Sequence, residues 1–150
     1  MITRAEKIFT PEIRKQVKDA IRKAEDITSG EIRVYVEDRC LEDVLDHSAF
    51  IFSQMKMHKT KLRNGVLFYL AIEDHKLAVL GDAGINSKVE EGFWRTVQER
   101  MVKKFTENEF SAGLVEGIKI VSEVLAKFFP PGVKDINELP DDIAFGNEKK

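Results

Sequence analysis

The chain has 150 residues, 43% of them hydrophobic and 33% charged. That composition excludes a disordered chain and fits one globular domain, long enough to bury about two-thirds of its unfolded surface. A formal charge of −2 with a pI near 6.0 removes the basic excess expected of a nucleic-acid binder. Cys40 is the single cysteine, so no intrachain disulfide forms and a reducing compartment suits the chain.

The opening MITRAEKIF lacks the apolar core of a signal peptide, and no run approaches the roughly 20 residues of a membrane span. The expectation is a cytoplasmic monomer without a membrane span, with a protein partner left open. Thr10-Pro11-Glu12 starts a helix: a hydroxyl cap, proline at the first helical position, and an acid at the positive end of the dipole. Ile13, Val17, Ala20, Ile21, Ala24 and Ile27 form its apolar stripe, and Gly30 is expected to end it as a left-handed cap residue. Residues 31–37 alternate, with Ile32, Val34 and Val36 on one side and Arg33 and Tyr35 on the other, as a strand does.

A second helix is expected from Leu41 to about His58, with Leu41, Leu45, Ala49, Phe52 and Met55 facing the core. Val66–Ile72 is an unbroken apolar run rich in β-formers, which reads as a strand buried on both faces. Because a helix separates it from the first strand, the two should be parallel. Residues 73–76 turn the chain into an antiparallel partner, Leu77–Leu80. Ser87 with Glu90 resembles a capping box opening a third helix, whose stripe is Trp94, Val97, Met101 and Phe105 with Phe93 beside it. A fourth helix carries Phe110, Leu114, Ile118, Val121, Leu125 and Phe128 and stops at Pro130-Pro131-Gly132.

The predicted fold is an α/β three-layer α/β/α sandwich around a small mixed β-sheet, in the order α-β-α-β-β-α-α. Residues 1–132 form the domain. Residues 133–150 form an irregular tail that packs on it through Ile136, Leu139, Ile143 and Phe145.

SGEIRVYVED, the run from Met57 through KTKLRNGVLFYLAIEDHKLAVLGDAGIN, Phe93-Trp94 and NELPD together resemble a TPM domain. This family is named after a thylakoid lumen protein, a photosystem repair protein and a worm receptor modulator. The resemblance is to short bacterial members made of this domain alone. It implies an α/β/α sandwich, divalent-cation binding in some members, calcium included, and acid phosphatase activity in a plant relative. Where the family's glycine-rich turn carries a Glu, this chain has Asn86.

The topology brings Glu31, Asp82 and Asn86 to one end of the sheet as a candidate Ca²⁺ site, a hard cation wanting six to eight oxygens. Arg63 and Asn64, beside a glycine-rich helix start, are candidates for anion or other ligand contacts there. At the other end Glu37, Asp38, Asp43 and Asp74 form an alternative cluster, with Glu42, Asp46 and Glu73 nearby; this is the carboxyl end of the parallel strands, where open α/β sheets usually bind ligands. His47, His58 and His75 lack metal-ligand spacing with each other or with Cys40, and His47 reads as a surface histidine. The functional expectation is a non-catalytic domain binding Ca²⁺ or another divalent cation weakly. A metal-assisted phosphatase and a partner-binding module compete with it.

Overall fold

The computed structural model describes residues 2–132 and 143–146. Two helices precede the first strand. The first, α1 (Arg4–Ile8), has no counterpart in the sequence reading and is held by a capping box. The Thr3 hydroxyl accepts from Glu6 N at 3.2 Å, and Thr3 N donates to the Glu6 carboxylate at 2.9 Å. Then α2 (Pro11–Ile27) starts at the expected Thr10 cap and buries Val17, Ile21 and Ala24.

Gly30 is not a left-handed cap. The helix ends at Thr28 in extended conformation, and the only glycine with positive φ among the described residues is Gly92. Glycine at 30 relieves crowding instead, since a Cβ there would lie 2.9 Å from both Leu125 methyls, which would have to shift.

The strands are β1 (Glu31–Glu37), β2 (Gly65–Ala71), β3 (Lys76–Gly81) and β4 (Ala144–Phe145), in the sheet order β3-β2-β1-β4. β1 and β2 run parallel, with Glu31 opposite Gly65 and Glu37 opposite Ala71, while β3 returns antiparallel to β2. Every residue of β2 is buried, as its unbroken apolar run predicts. Its Val66, Phe68 and Leu70 join Ile32, Val34 and Val36 in the larger core, against α2, α5 (Phe93–Phe105) and α6 (Phe110–Phe128). Leu67, Tyr69 and Ala71 face the opposite way, toward Ile51 and Phe52 of α3 (Val44–Gln54) and the 3-10 turn Met57–Lys59. The result is the three-layer sandwich with a mixed sheet.

The tail contributes a strand rather than only irregular contacts. β4 pairs parallel with β1, Tyr35 opposite Ala144 and Val36 opposite Phe145, and Ile143 is buried. Phe145 meets Phe9 edge-on at 6.1 Å, under the Arg14 guanidinium at 4.5 Å. Ile136 and Leu139 lie outside the described residues.

Two expected helix starts move. α3 begins at Val44, because the Asp43 carboxylate accepts from Leu45 N and Asp46 N at 3.1 and 3.0 Å. Of the expected stripe, Phe52 is buried and Met55 half-buried as predicted, whereas Leu41, Leu45 and Ala49 are exposed and Ser48 and Ile51 take the inward places. Ser48 is accepted inside because its hydroxyl donates to Leu45 O within its own helix, at 3.1 Å. Likewise Ser87 opens no helix. It ends the short α4 (Ala83–Asn86), donating to Gly84 O at 2.9 Å, and α5 begins after Gly92.

Candidate functional site

At the amino end of the parallel strands, the loops carrying Glu31, Arg63, Asn64 and Asp82 do converge. Glu31 N donates to Asn64 O, Asp82 N to Gly65 O and Gly84 N to Arg63 O. Their side chains, however, are occupied by one another. The buried Asp82 carboxylate takes both Arg63 Nε and Nη2 at 2.7 Å and also accepts from Ala83 N at 2.8 Å, so it caps α4. This hydrogen bond and the charge beside it raise the Arg63 guanidinium above its ordinary value.

Asn86 is spent in the same way: its amide donates to Gly81 O and its carbonyl accepts from Trp94 Nε1, at 2.9 and 2.8 Å. Glu31 turns to the buried Arg33, 2.8 Å away, which also holds Glu25 at 2.8 Å. Asn64 is buried and reaches Ser29 Oγ at 3.4 Å. These groups form a clamp that ties the loop before β2 to the turn after β3.

At the carboxyl end, three of the four expected acids also serve the backbone. Asp38 accepts from Ala5 N at 2.6 Å and Arg4 N at 3.1 Å, at the start of α1, and Asp43 caps α3. Asp74 accepts from Cys40 N at 2.7 Å, with Arg39 at 3.6 Å.

Glu37 is different. It ends β1 on the α3 side of the sheet and meets His47 Nε2 at 2.8 Å, while His47 Nδ1 meets Glu42 at 2.6 Å. Carboxylates only accept, so both contacts are hydrogen bonds when both ring nitrogens carry protons. The Tyr69 hydroxyl donates to Glu37, and Tyr69 stacks on Tyr35 at 6.0 Å and meets the His47 ring edge-on at 5.5 Å. Burial first, then the hydrogen bond to Glu37, pushes the Tyr69 phenol far above its usual range; burial and the Glu37 charge raise Tyr35 as well.

The groups open into a cleft of about 700 Å³, with Tyr35, Glu37, Glu42 and His47 inside and Leu41 and Phe50 among its other lining residues. Cys40, also on its wall, is buried and donates its thiol to Glu42 O at 3.3 Å.

His47 is the cleft side chain whose place sequence reasoning missed, having read it as surface. The signal was in the register: Tyr35 and Glu37 share a face, and the Asp43 cap turns the fourth residue after it toward that face. Among the described residues no three His, Cys, Asp or Glu side chains are grouped to hold a metal ion, and no helix is long and apolar enough to cross a membrane.

The decisive comparison is with a family profile described as the TPM domain, which matches residues 2–124. The chain belongs to the TPM domain family. This TPM domain is similar to the BA42 protein from the psychrophilic bacterium Bizionia argentinensis, known from an NMR structure. The two are 45% identical, with a TM-score of 0.85, over 91% of this chain and 94% of that one. It also shares its fold with the N-terminal domain of a P. gingivalis protein solved in solution, at 18% identity and TM-score 0.69, over 85% and 82% of the two chains. No curated protein matches.

Proposed function

We propose that this TPM domain is a non-catalytic binding domain that takes up a divalent cation weakly, Ca²⁺ first among them, in the cleft at the carboxyl end of its parallel strands. One observation carries the location: the His47 ring sits between the Glu37 and Glu42 carboxylates, where a positive charge balances both. A cation drawn to those two carboxylates, with water completing its shell, takes the place of the ring between them. The opposite end supports a cation less well, because Asp82 already holds a guanidinium and any ion there must displace it.

Two carboxylates and water place the affinity in the weak range of calcium sites, about 10⁻⁴ to 10⁻³ M. Ca²⁺ at about ten times its dissociation constant then raises stability by roughly 1.4 kcal/mol. Glu42→Gln, an exposed position, should remove most of that rise. A melt that millimolar Ca²⁺ leaves unmoved at any pH defeats the proposal.

The runner-up is metal-assisted hydrolysis of phosphate esters, which draws on the same cleft. His47 is an acid–base group there and the half-exposed Arg39 a phosphate contact. Cation-dependent release of p-nitrophenol from its phosphate, lost in His47→Gln, would favour it over binding alone.

A further inference from the structure

The cleft is larger than an ion needs, and much of its wall is apolar. Calcium with about eight waters, each about 30 Å³, fills roughly 250 Å³, against a cleft of about 700 Å³. That volume falls in the range of sites for organic ligands. Leu41 is 84% exposed and Phe50 55%, and both line this one cleft together with Tyr35. The Phe50 ring lies 6.3 Å from the His47 ring, and Tyr35 is backed by Tyr69 at 6.0 Å. A fitting occupant brings an apolar stem or a flat face as well as a charge.

The sign of that charge follows from the surroundings. Residues 37–46 and 73–76, the segments that close this end of the sheet, carry seven acidic side chains against Arg39 and Lys76, in a chain whose formal total is −2. Both bases are engaged: Arg39 faces Asp74 at 3.6 Å, and Lys76 Nζ donates to Cys40 O and Glu42 O at 2.9 and 3.3 Å. Asp38 and Asp43 serve helix starts, and their charge answers the dipoles there. Glu42 caps nothing. Its side chain is 61% exposed, and beyond the contact of one oxygen with His47 it has no partner among the described residues. The field at the mouth draws a cation, and Glu42 offers it an open oxygen.

We infer that the cleft is a docking site for a basic segment of a partner protein, with an arginine side chain as the anchor. Guanidinium suits this wall better than ammonium. Its planar fork pairs with a carboxylate, it lies flat on aromatic rings, and it is the less strongly hydrated of the two. The pair forms with Glu42, the guanidinium rests against Phe50 and Tyr35, and the methylene stem covers Leu41. Further bases of the segment face Asp43 and Asp46, both exposed at the start of α3. Docking and Ca²⁺ draw on the same carboxylate, so calcium expels the segment, a consequence that rests on the calcium reading above.

The probe is an acetylated, amidated tripeptide of arginine, leucine and arginine, titrated in chelator into the ¹⁵N-labelled full chain. The expected result is saturable shifts centred on Leu41, Glu42, His47 and Phe50, with a dissociation constant that rises with added salt. Replacing both arginines by citrulline, a neutral isostere, should weaken binding at least about tenfold. Phe50→Ser, at a position open to water in the free protein, should also weaken it about tenfold, with the melting temperature and the calcium-induced rise nearly unchanged. Ca²⁺ at about ten times its own dissociation constant should raise the peptide's apparent constant about tenfold. Equal binding of the citrulline peptide, or binding that Phe50→Ser leaves intact, overturns the inference. So do shifts centred away from the cleft, or none at millimolar peptide. Calcium binding without peptide binding overturns the docking site and leaves the calcium reading standing. A peptide that binds as described while calcium neither competes nor moves the melt upholds the docking site and overturns the calcium reading instead.

Discussion

Removing the Asp82 carboxylate tests whether the turn after β3 is a clamp or a ligand site. Asp82→Ala deletes three contacts at once: two from Arg63 at 2.7 Å and one from Ala83 N at 2.8 Å. Losing a helix cap costs about 1 kcal/mol. The ion pair has two-pronged geometry, but Arg63 is 51% exposed, so solvent screens it and the lost cap dominates. That loss corresponds to a melting temperature lower by about 2–4 °C for a chain of this size. Asp82→Asn keeps an acceptor for Ala83 N but loses the charge and puts an amide NH₂, which cannot accept, where the second oxygen met Arg63, so a smaller fall than that of Asp82→Ala is expected. Thermal melts followed by circular dichroism, with and without millimolar Ca²⁺, measure both quantities. If Asp82→Ala melts with the parent protein, the clamp reasoning is wrong. If Asp82→Asn costs nothing without calcium yet abolishes the calcium-induced rise, Asp82 is a ligand.

Other consequences follow from packing and charge. At Gly84 a Cβ would stand 2.2 Å from Leu62 O and 2.6 Å from Arg63 O, both backbone, so Gly84→Ala should lose about 3 kcal/mol or more in urea unfolding. Arg33 is 1% exposed between Glu25 and Glu31; Arg33→Ala removes a buried guanidinium from two carboxylates and should cost about 3–5 kcal/mol, whereas Arg33→Lys should recover part of it. Both tyrosines hold their protons above the ordinary phenol value in the fold. The unfolded chain therefore ionises first, the native state binds more protons, and stability falls as pH rises past about 10, by up to about 1.4 kcal/mol per pH unit for each phenol. Tyr69→Phe should flatten that alkaline slope, and an unchanged slope would contradict the burial of its hydroxyl.

The sheet was legible because β2 declares itself. Seven apolar residues from Val66 to Ile72 admit little but a central strand, and the helix between it and β1 dictates a parallel pair. The phase of α3 was not legible. Leu41, Leu45 and Ala49 make a better stripe on paper than Val44, Ser48 and Ile51, and only the Asp43 cap, with Ser48 satisfied by its own helix, turns the second set inward.

At both ends of the sheet, position was legible in the sequence and side-chain pairing was not. Topology correctly collects Glu31, Arg63 and Asp82 at one end, yet nothing local says that Arg63 will take both oxygens of Asp82, 19 residues away. The same limit hid His47: Glu37 is 10 residues before it, and the pairing appears only once α3 lies across the sheet. Contacts between elements carry this information, and periodicity within an element does not.

The account turns on where a divalent cation settles, and a calcium titration followed in ¹H–¹⁵N spectra reads that residue by residue. Shifts centred on Glu37, Cys40, Glu42 and His47, saturating at millimolar Ca²⁺, are the predicted result. Shifts centred on Glu31, Asn64 and Asp82 to Asn86, or none at any residue, would contradict it.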